Sequence, residues 1–372
     1  MTFFAGFGLV LLFFFLVYCL FLLRVLSGLS TAALAPFHPA EMVSVIIAVR
    51  NEELMIAKCL ESILAQDYPR ESYEIIIVDD GSSDATVEIS RGFERTHSQL
   101  KVITRSGSVG SKRTALLAGI KEASGDVLLF TDGDCSVKPG WISGMAGTLR
   151  ERVHFVAGPV VEAEAPGLLQ RLSRIEFLGI IGVAAGLTRS GNPIFCNGAN
   201  IAYRKSAFEA IGGFGEGVHF SDDEVILQRF HVRDERSVSF TFDHEAIVTT
   251  PSPRSVKDFW NQRVRWSSKG GVYEKTSILA RLVFLYFFFL VLFAGLALSL
   301  SNPDLITIVI PILAVKFLLD WLVIHKTARL LNQPVSLLYL FIAEVLHVPY
   351  IVLAALQGQI GSLRWKGAPV RK

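Results

Sequence analysis

Two hydrophobic rhythms divide the chain. Near its start, FFAGFGLVLLFFFLVYCLFLL (Phe3 to Leu23) runs without a charge, long enough to cross a hydrocarbon core of about 30 Å as a helix. Three more such tracts follow late in the chain: Leu282 to Leu300, Leu305 to Ile324 and Val335 to Leu356. The first two of these make a hairpin around SNPD. From Met42 to Thr131 the rhythm shortens, and β-branched runs alternate with helical stretches, the pattern of right-handed βαβ units around a parallel sheet. VSVIIAV, YEIIIVDD, KVITR and DVLLFTDGD read as strands. NEELMIAKCLESILAQ, GSSDATVEISRGFER and SKRTALLAGIKEASG read as the helices between them, with Gly125 ending the last as a C-terminal cap. Ala165 to Arg189 mixes helical apolar spacing with small residues and fits either a core helix or an amphipathic helix resting on a membrane. The pattern therefore predicts a transmembrane helix over residues 1–26, an α/β domain with a mostly parallel, Rossmann-like sheet over 41–271, a membrane region over 281–357 and a basic tail over 358–372.

Composition sharpens this division. With 51% hydrophobic residues, 27 of them Phe, over 372 positions, the chain is too apolar for a soluble enzyme of its size. The first tract has no basic segment ahead of it and is longer than a signal-peptide core, so it reads as an anchor. A net charge of +2 gives no reason to expect a nucleic-acid partner. That small total hides an asymmetry: Arg24, the Arg263, Arg265 and Lys269 group, and Lys326 with Arg329 flank the tracts on one side, while SNPD has no cation. The positive-inside rule then puts the α/β domain in the cytoplasm, against an inner membrane, with the amino terminus outside. Arg364, Lys366, Arg371 and Lys372 of the tail break the pattern if the fourth tract spans fully. That tract also holds Glu344, His347 and Pro349, so a broken or re-entrant helix is the alternative to a crossing. Cys19, Cys59, Cys135 and Cys196 form no C-x-x-C pair, which argues against a disulfide framework or structural zinc.

Candidate chemistry gathers at the ends of the strands, where open α/β sheets bind ligands. AVRNEE, IVDDGSSD and FTDGDC each end a strand in polar or acidic groups. No G-x-G-x-x-G follows the first strand, which disfavours a dinucleotide-binding domain. Asp132 and Asp134 are two residues apart, so an extended backbone turns both carboxylates to one side, a spacing suited to Mg²⁺ or Mn²⁺ carrying a diphosphate. Asp79 and Asp80 can accept hydrogen bonds from a base or a ribose. Lys112, at the start of its helix, offers a cation to phosphate. Farther on, a Gly-rich loop precedes Asp222, Asp223 and Glu224. This cluster is either an acidic first turn that complements the helix dipole or the source of a general base for an acceptor hydroxyl.

IIAVRNEE, IIIVDDGSSD, FTDGD, CNGANIAYRKSAF, SDDE and QRVRW occur in the order seen in the membrane-bound inverting glycosyltransferases of family 2, and over Val43 to Trp266 the chain resembles that family. The resemblance implies a GT-A fold, a nucleoside-diphosphate sugar donor such as a UDP-sugar, and Mg²⁺ or Mn²⁺. It makes Asp80 similar to the nucleotide-contacting Asp, with Asn51, Glu52 and Asp79 beside it on the donor side. Asp132 and Asp134 are similar to the metal-binding D-x-D, and Asp223, with Asp222 as the alternative, to the catalytic base. Gln262, Arg265 and Trp266 match Q-x-x-R-W, which in relatives holds the donor diphosphate and lines the acceptor site, where Gly198 and Asn200 are also expected. RWKGAPVRK resembles the ending of some relatives and favours a cytoplasmic carboxyl terminus. The middle Gly of DGD and the Ser ahead of the acidic pair depart from the commoner family patterns.

The expected activity is inverting sugar transfer to a lipid or glycan hydroxyl at the membrane. A processive polysaccharide synthase subunit is the alternative within the class, and a non-catalytic nucleotide-sugar sensor the alternative outside it. Four tracts with few internal charges make a poor transport pathway, and a nucleotidyltransferase would need a Gly-rich amino-terminal loop that is missing. In FWNQRVRWSSKG, Trp260, Arg263 and Lys269 are expected to be no more than anchors at the membrane interface.

Overall fold

The computed structural model describes residues 3–30, 41–105, 111–215, 222–268, 276–360, 363–365 and 368–370. In chain order the elements are α1 (Phe3–Gly28), β1 (Val43–Val49), α2 (Ile56–Leu64), β2 (Tyr73–Asp79), α3 (Thr86–Glu94), β3 (Leu100–Thr104), α4 (Lys112–Glu122), β4 (Val127–Asp132), β5 (Ser136–Val137) and α5 (Trp141–Ala146). There follow β6 (Phe155–Ala157), β7 (Val160–Glu162), α6 (Leu168–Arg189), β8 (Ile201–Arg204), α7 (Lys205–Ala210), α8 (Asp222–Arg233), β9 (Val238–Phe240) and β10 (Val248–Thr250). The last are α9 (Val256–Ser267), α10 (Thr276–Ser299), α11 (Ile306–Leu330) and α12 (Leu337–Ile360), ahead of a short hairpin of β11 (Leu363–Trp365) and β12 (Ala368–Val370). They form two compact units. One comprises Thr31–Ala163 and Gly191–Pro251, the other Met1–Ser30, Glu164–Ser190 and Ser252–Lys372.

The α/β unit is built on a seven-stranded sheet in the order β3-β2-β1-β4-β8-β6-β9, with a smaller sheet β5-β10-β7. β1, β2, β3 and β4 run parallel, as the β-branched runs predict, and β8 turns antiparallel against β4. Val43, Val45, Ile46 and Ile47 of β1 are fully buried. Apolar on both faces, β1 sits inside the sheet, where each such side chain contributes about 1.5–3 kcal/mol. Two helix boundaries differ from the pattern. The first helix begins only at Ile56, because Asn51 takes a left-handed backbone (φ 54°) and Glu52 starts a turn. Gly125 is also not a left-handed cap, since α4 ends at Ala123 in extended geometry. Gly125 instead lies so close to β1 that a Cβ would stand 2.6 Å from the Ser44 nitrogen.

Helices α1, α10, α11 and α12 make up most of the second unit, and each is long and apolar enough to cross a membrane. Leu20 of α1 is 68% exposed and Leu9 57%, surfaces that suit lipid rather than water. Helix α6 packs against α1, α11 and α12, so this stretch is a packed member of the unit rather than a helix lying free on a surface. Where α6 meets α1, a Cβ on Gly28 would stand 1.8 Å from the Gly186 carbonyl oxygen, and small residues let the two backbones touch. Helix α12 is continuous through Pro349, so the fourth tract has the length of a full crossing.

Its polar residues have partners from other helices. The Lys316 ammonium of α11 donates to Asp320 (2.7 Å), Glu344 (2.5 Å) and His347 Nδ1 (3.3 Å), and Tyr18 of α1 donates to Asp320. Ligand atoms of Asp320, Glu344 and His347 lie within 4.8 Å of one another, a spacing that would suit a metal. Lys316 already provides the neutralising cation there, and the cluster ties three helices together. Lys316→Met should therefore leave two buried carboxylates facing each other and lower stability by about 3–5 kcal/mol, read as the thermal unfolding midpoint in detergent. Adding Asp320→Asn and Glu344→Gln should restore most of the loss, and an unchanged midpoint in the single variant would contradict the assignment.

Candidate active site

The register of β1 against its two parallel neighbours places the candidate residues. Val49 pairs with Asp79 of β2, and Ala48 with Asp132 of β4, so the ends of the three strands bring their acidic groups to one sheet edge at about 4.8 Å strand spacing. The loop after β1 is fastened to the loop after β2. Asn51 donates its N–H to Ser82 Oγ (2.9 Å) and accepts from the Ser83 N–H (2.9 Å), and Glu52 donates its N–H to Thr86 Oγ1 (2.8 Å).

Asp79 and Asp80, adjacent in sequence, take different roles. Both Asp79 oxygens accept backbone N–H groups, from Gly81 at 3.1 Å and Ser82 at 3.2 Å, around Gly81 at φ 80°. Asp79 forms the turn that carries Asp80. Asp80 is 4% exposed. One of its oxygens pairs with Arg105, and the other, Oδ2, is buried with no hydrogen-bond partner among the described residues. Such an acceptor is costly unless a ligand satisfies it. Arg105, which also donates to Thr114 Oγ1 at 2.8 Å, was passed over in the sequence although it ends the third strand run just as the acidic groups end theirs.

Lys112 opens α4, whose N-cap Ser111 accepts from the Thr114 N–H in a capping box. Its ammonium pairs with Asp132. Burial pulls this ammonium down, but the charge and hydrogen bond of Asp132, with Asp223 and Asp222 adding to them, outweigh it and hold Lys112 above the ordinary lysine range. Lys112 thus feels both the strand-end carboxylates and the acidic turn of α8. Asp132 and Asp134 are partly open to solvent, and paired hard oxygen donors of this kind fit Mg²⁺ or Mn²⁺.

Ser221 and the loop ahead of it lie outside the described residues, but the acidic pair that follows is clear. Asp222 faces the buried Arg113, whose Nε is 3.8 Å from its carboxylate, and Arg113 also donates to the Gly215 carbonyl at 2.5 Å. Asp223 instead accepts the Gly198 N–H at 3.2 Å, and a Cβ on Gly198 would come within 3.3 Å of the Asp223 side chain. The CNGAN loop therefore brings Gly198 beside Asp223. Asn200 is different: fully buried, it accepts from Trp141 Nε1 (3.0 Å) and spends both amide hydrogens on the Pro159 (2.8 Å) and Ala246 (2.7 Å) carbonyls. With every donor committed it is a core residue, and its expected acceptor-site role is corrected.

The Q-x-x-R-W residues lie in the other unit, on α9, started by Ser255, which accepts from the Asp258 N–H. Gln262, Arg265 and Trp266 are half-buried there. Arg263, expected to be a surface anchor, is buried and paired with Glu176 of α6. Lys269 lies outside the described residues.

A family model described as glycosyl transferase family 2 matches residues 44–212. Glycosyltransferase AglE of Haloferax volcanii is 30% identical over 210 residues, 56% of this chain and 67% of that protein. The chain belongs to glycosyl transferase family 2. It is a glycosyltransferase with the GT-A fold. Beta-monoglucosyldiacylglycerol synthase of a Synechocystis species is 28% identical over 252 residues, covering 62% of this chain and 48% of that protein. The chain thus spans about half to two thirds of the length of these two relatives. Among solved structures, the mannosyltransferase PcManGT of Pyrobaculum calidifontis, in complex with GDP-Man and Mn²⁺, aligns over 95% of this chain and 98% of its own, with TM-score 0.64 and 18% identity. At that identity the likeness establishes the shared fold.

Two thiols stand behind the strand-end carboxylates. Burial raises Cys59 well above the ordinary thiol range, with Asp134, Asp132 and Glu52 adding to it, and Cys135 is raised by burial and by Asp134 and Asp132. Both should stay protonated through pH 8 and resist maleimide in the folded enzyme. Peptide mapping should find them labelled only after denaturation, and rapid labelling of the native protein would contradict this environment.

Proposed function

We propose that this enzyme transfers a sugar, with inversion, from a nucleoside-diphosphate sugar to a hydroxyl of a lipid or glycan acceptor at the membrane. The observation that carries this reading is the division of labour within the two acidic pairs. Asp79 is committed to the turn after β2 and Asp222 faces Arg113 across 3.8 Å, while Asp80 keeps a buried acceptor oxygen and Asp223 stands at the Gly198 loop.

In this mechanism Asp80, held by Arg105, accepts an N–H of the nucleotide base, with Asn51 and Glu52 fixing the loop beside it. Asp132 and Asp134 would hold Mg²⁺ or Mn²⁺, which supplies charge neutralisation to the diphosphate. Lys112 adds its own cation to the same end of the donor. Asp223 removes the proton from the acceptor hydroxyl as that oxygen forms a bond to the anomeric carbon. The bond from that carbon to the phosphate oxygen breaks on the opposite face, and the diphosphate leaves with its electron pair. By the family resemblance, Gln262, Arg265 and Trp266 serve the donor diphosphate and the acceptor. The apolar helices and the glycolipid synthase among the relatives support a lipid acceptor over a soluble one. Arg24, Lys326 and Arg329 support a cytoplasmic catalytic unit on the inner membrane.

Membrane fractions given a panel of labelled nucleotide sugars with Mn²⁺ or Mg²⁺ should transfer label into lipid. Asp223→Asn should cut turnover by about 10²- to 10⁴-fold while leaving donor affinity nearly unchanged, and Asp222→Asn should act mainly through reduced stability. Undiminished transfer in Asp223→Asn would overturn the base assignment, and binding without transfer in the wild type would favour a sensor.

A further inference from the structure

Arg263 lies inside the Q-x-x-R-W segment at one of its unspecified positions, yet it is the most heavily committed side chain there. It is 4% exposed. Nε reaches both Glu176 oxygens, at 3.0 and 3.3 Å, and Nη2 donates to the same carboxylate and to Ser173 Oγ at 3.2 Å. Nη1 donates to the side-chain oxygen of Gln262. The guanidinium carbon stands 4.4 Å from the Phe259 ring centre and 4.5 Å from that of Trp266. Glu176 in turn accepts from Tyr350 Oη of α12 at 2.5 Å.

These contacts have a directional consequence. Arginine carries only donors, so the end of the Gln262 amide that faces it has to be the oxygen. The amide –NH₂ is the end that does not meet Arg263, a donor of the kind that suits a phosphate or hydroxyl oxygen. The flat cation also fixes the plane of the Trp266 ring, which packs on Phe177 of α6 at 5.8 Å between ring centres. A lysine would keep the charge but has no planar fork to serve Glu176, Gln262 and the Trp266 face at once.

We propose that Arg263 is a positioning residue for the transfer reaction. Paired with Glu176, which Tyr350 also contacts, it sets the amide orientation of Gln262 and the ring plane of Trp266, so helices α6 and α12 hold the motif in its working geometry. This rests on the reading that Gln262 and Trp266 serve the donor and acceptor.

The test is a double-mutant cycle on the full-length enzyme in detergent or nanodiscs, with donor KM, kcat and thermal midpoint measured for Arg263→Lys, Glu176→Gln, Gln262→Ala, Trp266→Ala and their combinations. Arg263→Lys and Glu176→Gln should each raise donor KM about tenfold, the loss of one charge-assisted hydrogen bond. They should add little further on the Gln262→Ala, Trp266→Ala background. If they raise KM by the same factor on that background, or not at all in the wild type, the positioning role is overturned while the donor reading stands. If Gln262→Ala and Trp266→Ala themselves leave donor KM unchanged, the donor reading fails first. Glu176→Gln, which preserves volume and the contact with Tyr350, carries the test if Arg263→Lys does not fold. A midpoint drop without a KM change marks Arg263 as structural only and overturns the proposal.

Discussion

The register of β1 between β2 and β4 is the constraint on which the α/β unit depends. A one-residue slip in either pairing would turn the alternating side chains over and move Asp79 and Asp132 away from the end of β1. The fully buried run from Val43 to Ile47 fixes that register. Fastening by Asn51 then turns the strand ends into a rigid rim, so affinity for a charged ligand is achieved with groups already in place.

Charge is handled in the same way in both units. Buried and half-buried cations are matched to carboxylates, most of them from other elements: Arg105 with Asp80, Lys112 with Asp132, Arg113 with Asp222, Arg263 with Glu176, and Lys316 with Asp320 of its own helix and Glu344 of α12. In the α/β unit the pairing leaves one acceptor over: Asp80 Oδ2 has no hydrogen-bond partner among the described residues. Asp223 accepts the Gly198 N–H. In the helical unit the corresponding pairs close on themselves and hold helices together. The same chemistry thus places charged groups at the sheet edge and sets registry between apolar helices, whose apolar surfaces alone discriminate little between one packing and another.

Much of this could be read in the sequence because it is periodic. The β-branched runs gave the four parallel strands and their order of residues at the ends, and the four apolar tracts gave α1, α10, α11 and α12. What could not be read was the spending of individual hydrogen bonds. Asn200, Asp79 and Asp222 stand in motifs with their neighbours Gly198, Asp80 and Asp223, and only geometry shows that the two members of each pair have different partners. Gly125 looked like a helix cap because a Gly after a helix usually is one, whereas here close approach to Ser44 requires it. Arg263 resembled a membrane anchor because its partner Glu176 is 87 residues away. Glu344 and His347 suggested a broken helix for the same reason, since the Lys316 that satisfies them lies on another helix.

Direct displacement at a single site, with Asp223 as base, has a stereochemical signature. Proton NMR of the first product formed from an α-linked nucleotide sugar would read the anomeric configuration before any isomerisation. The β-anomer is expected. Clean formation of the α-anomer would require a second displacement or a front-face departure, and would contradict the mechanism.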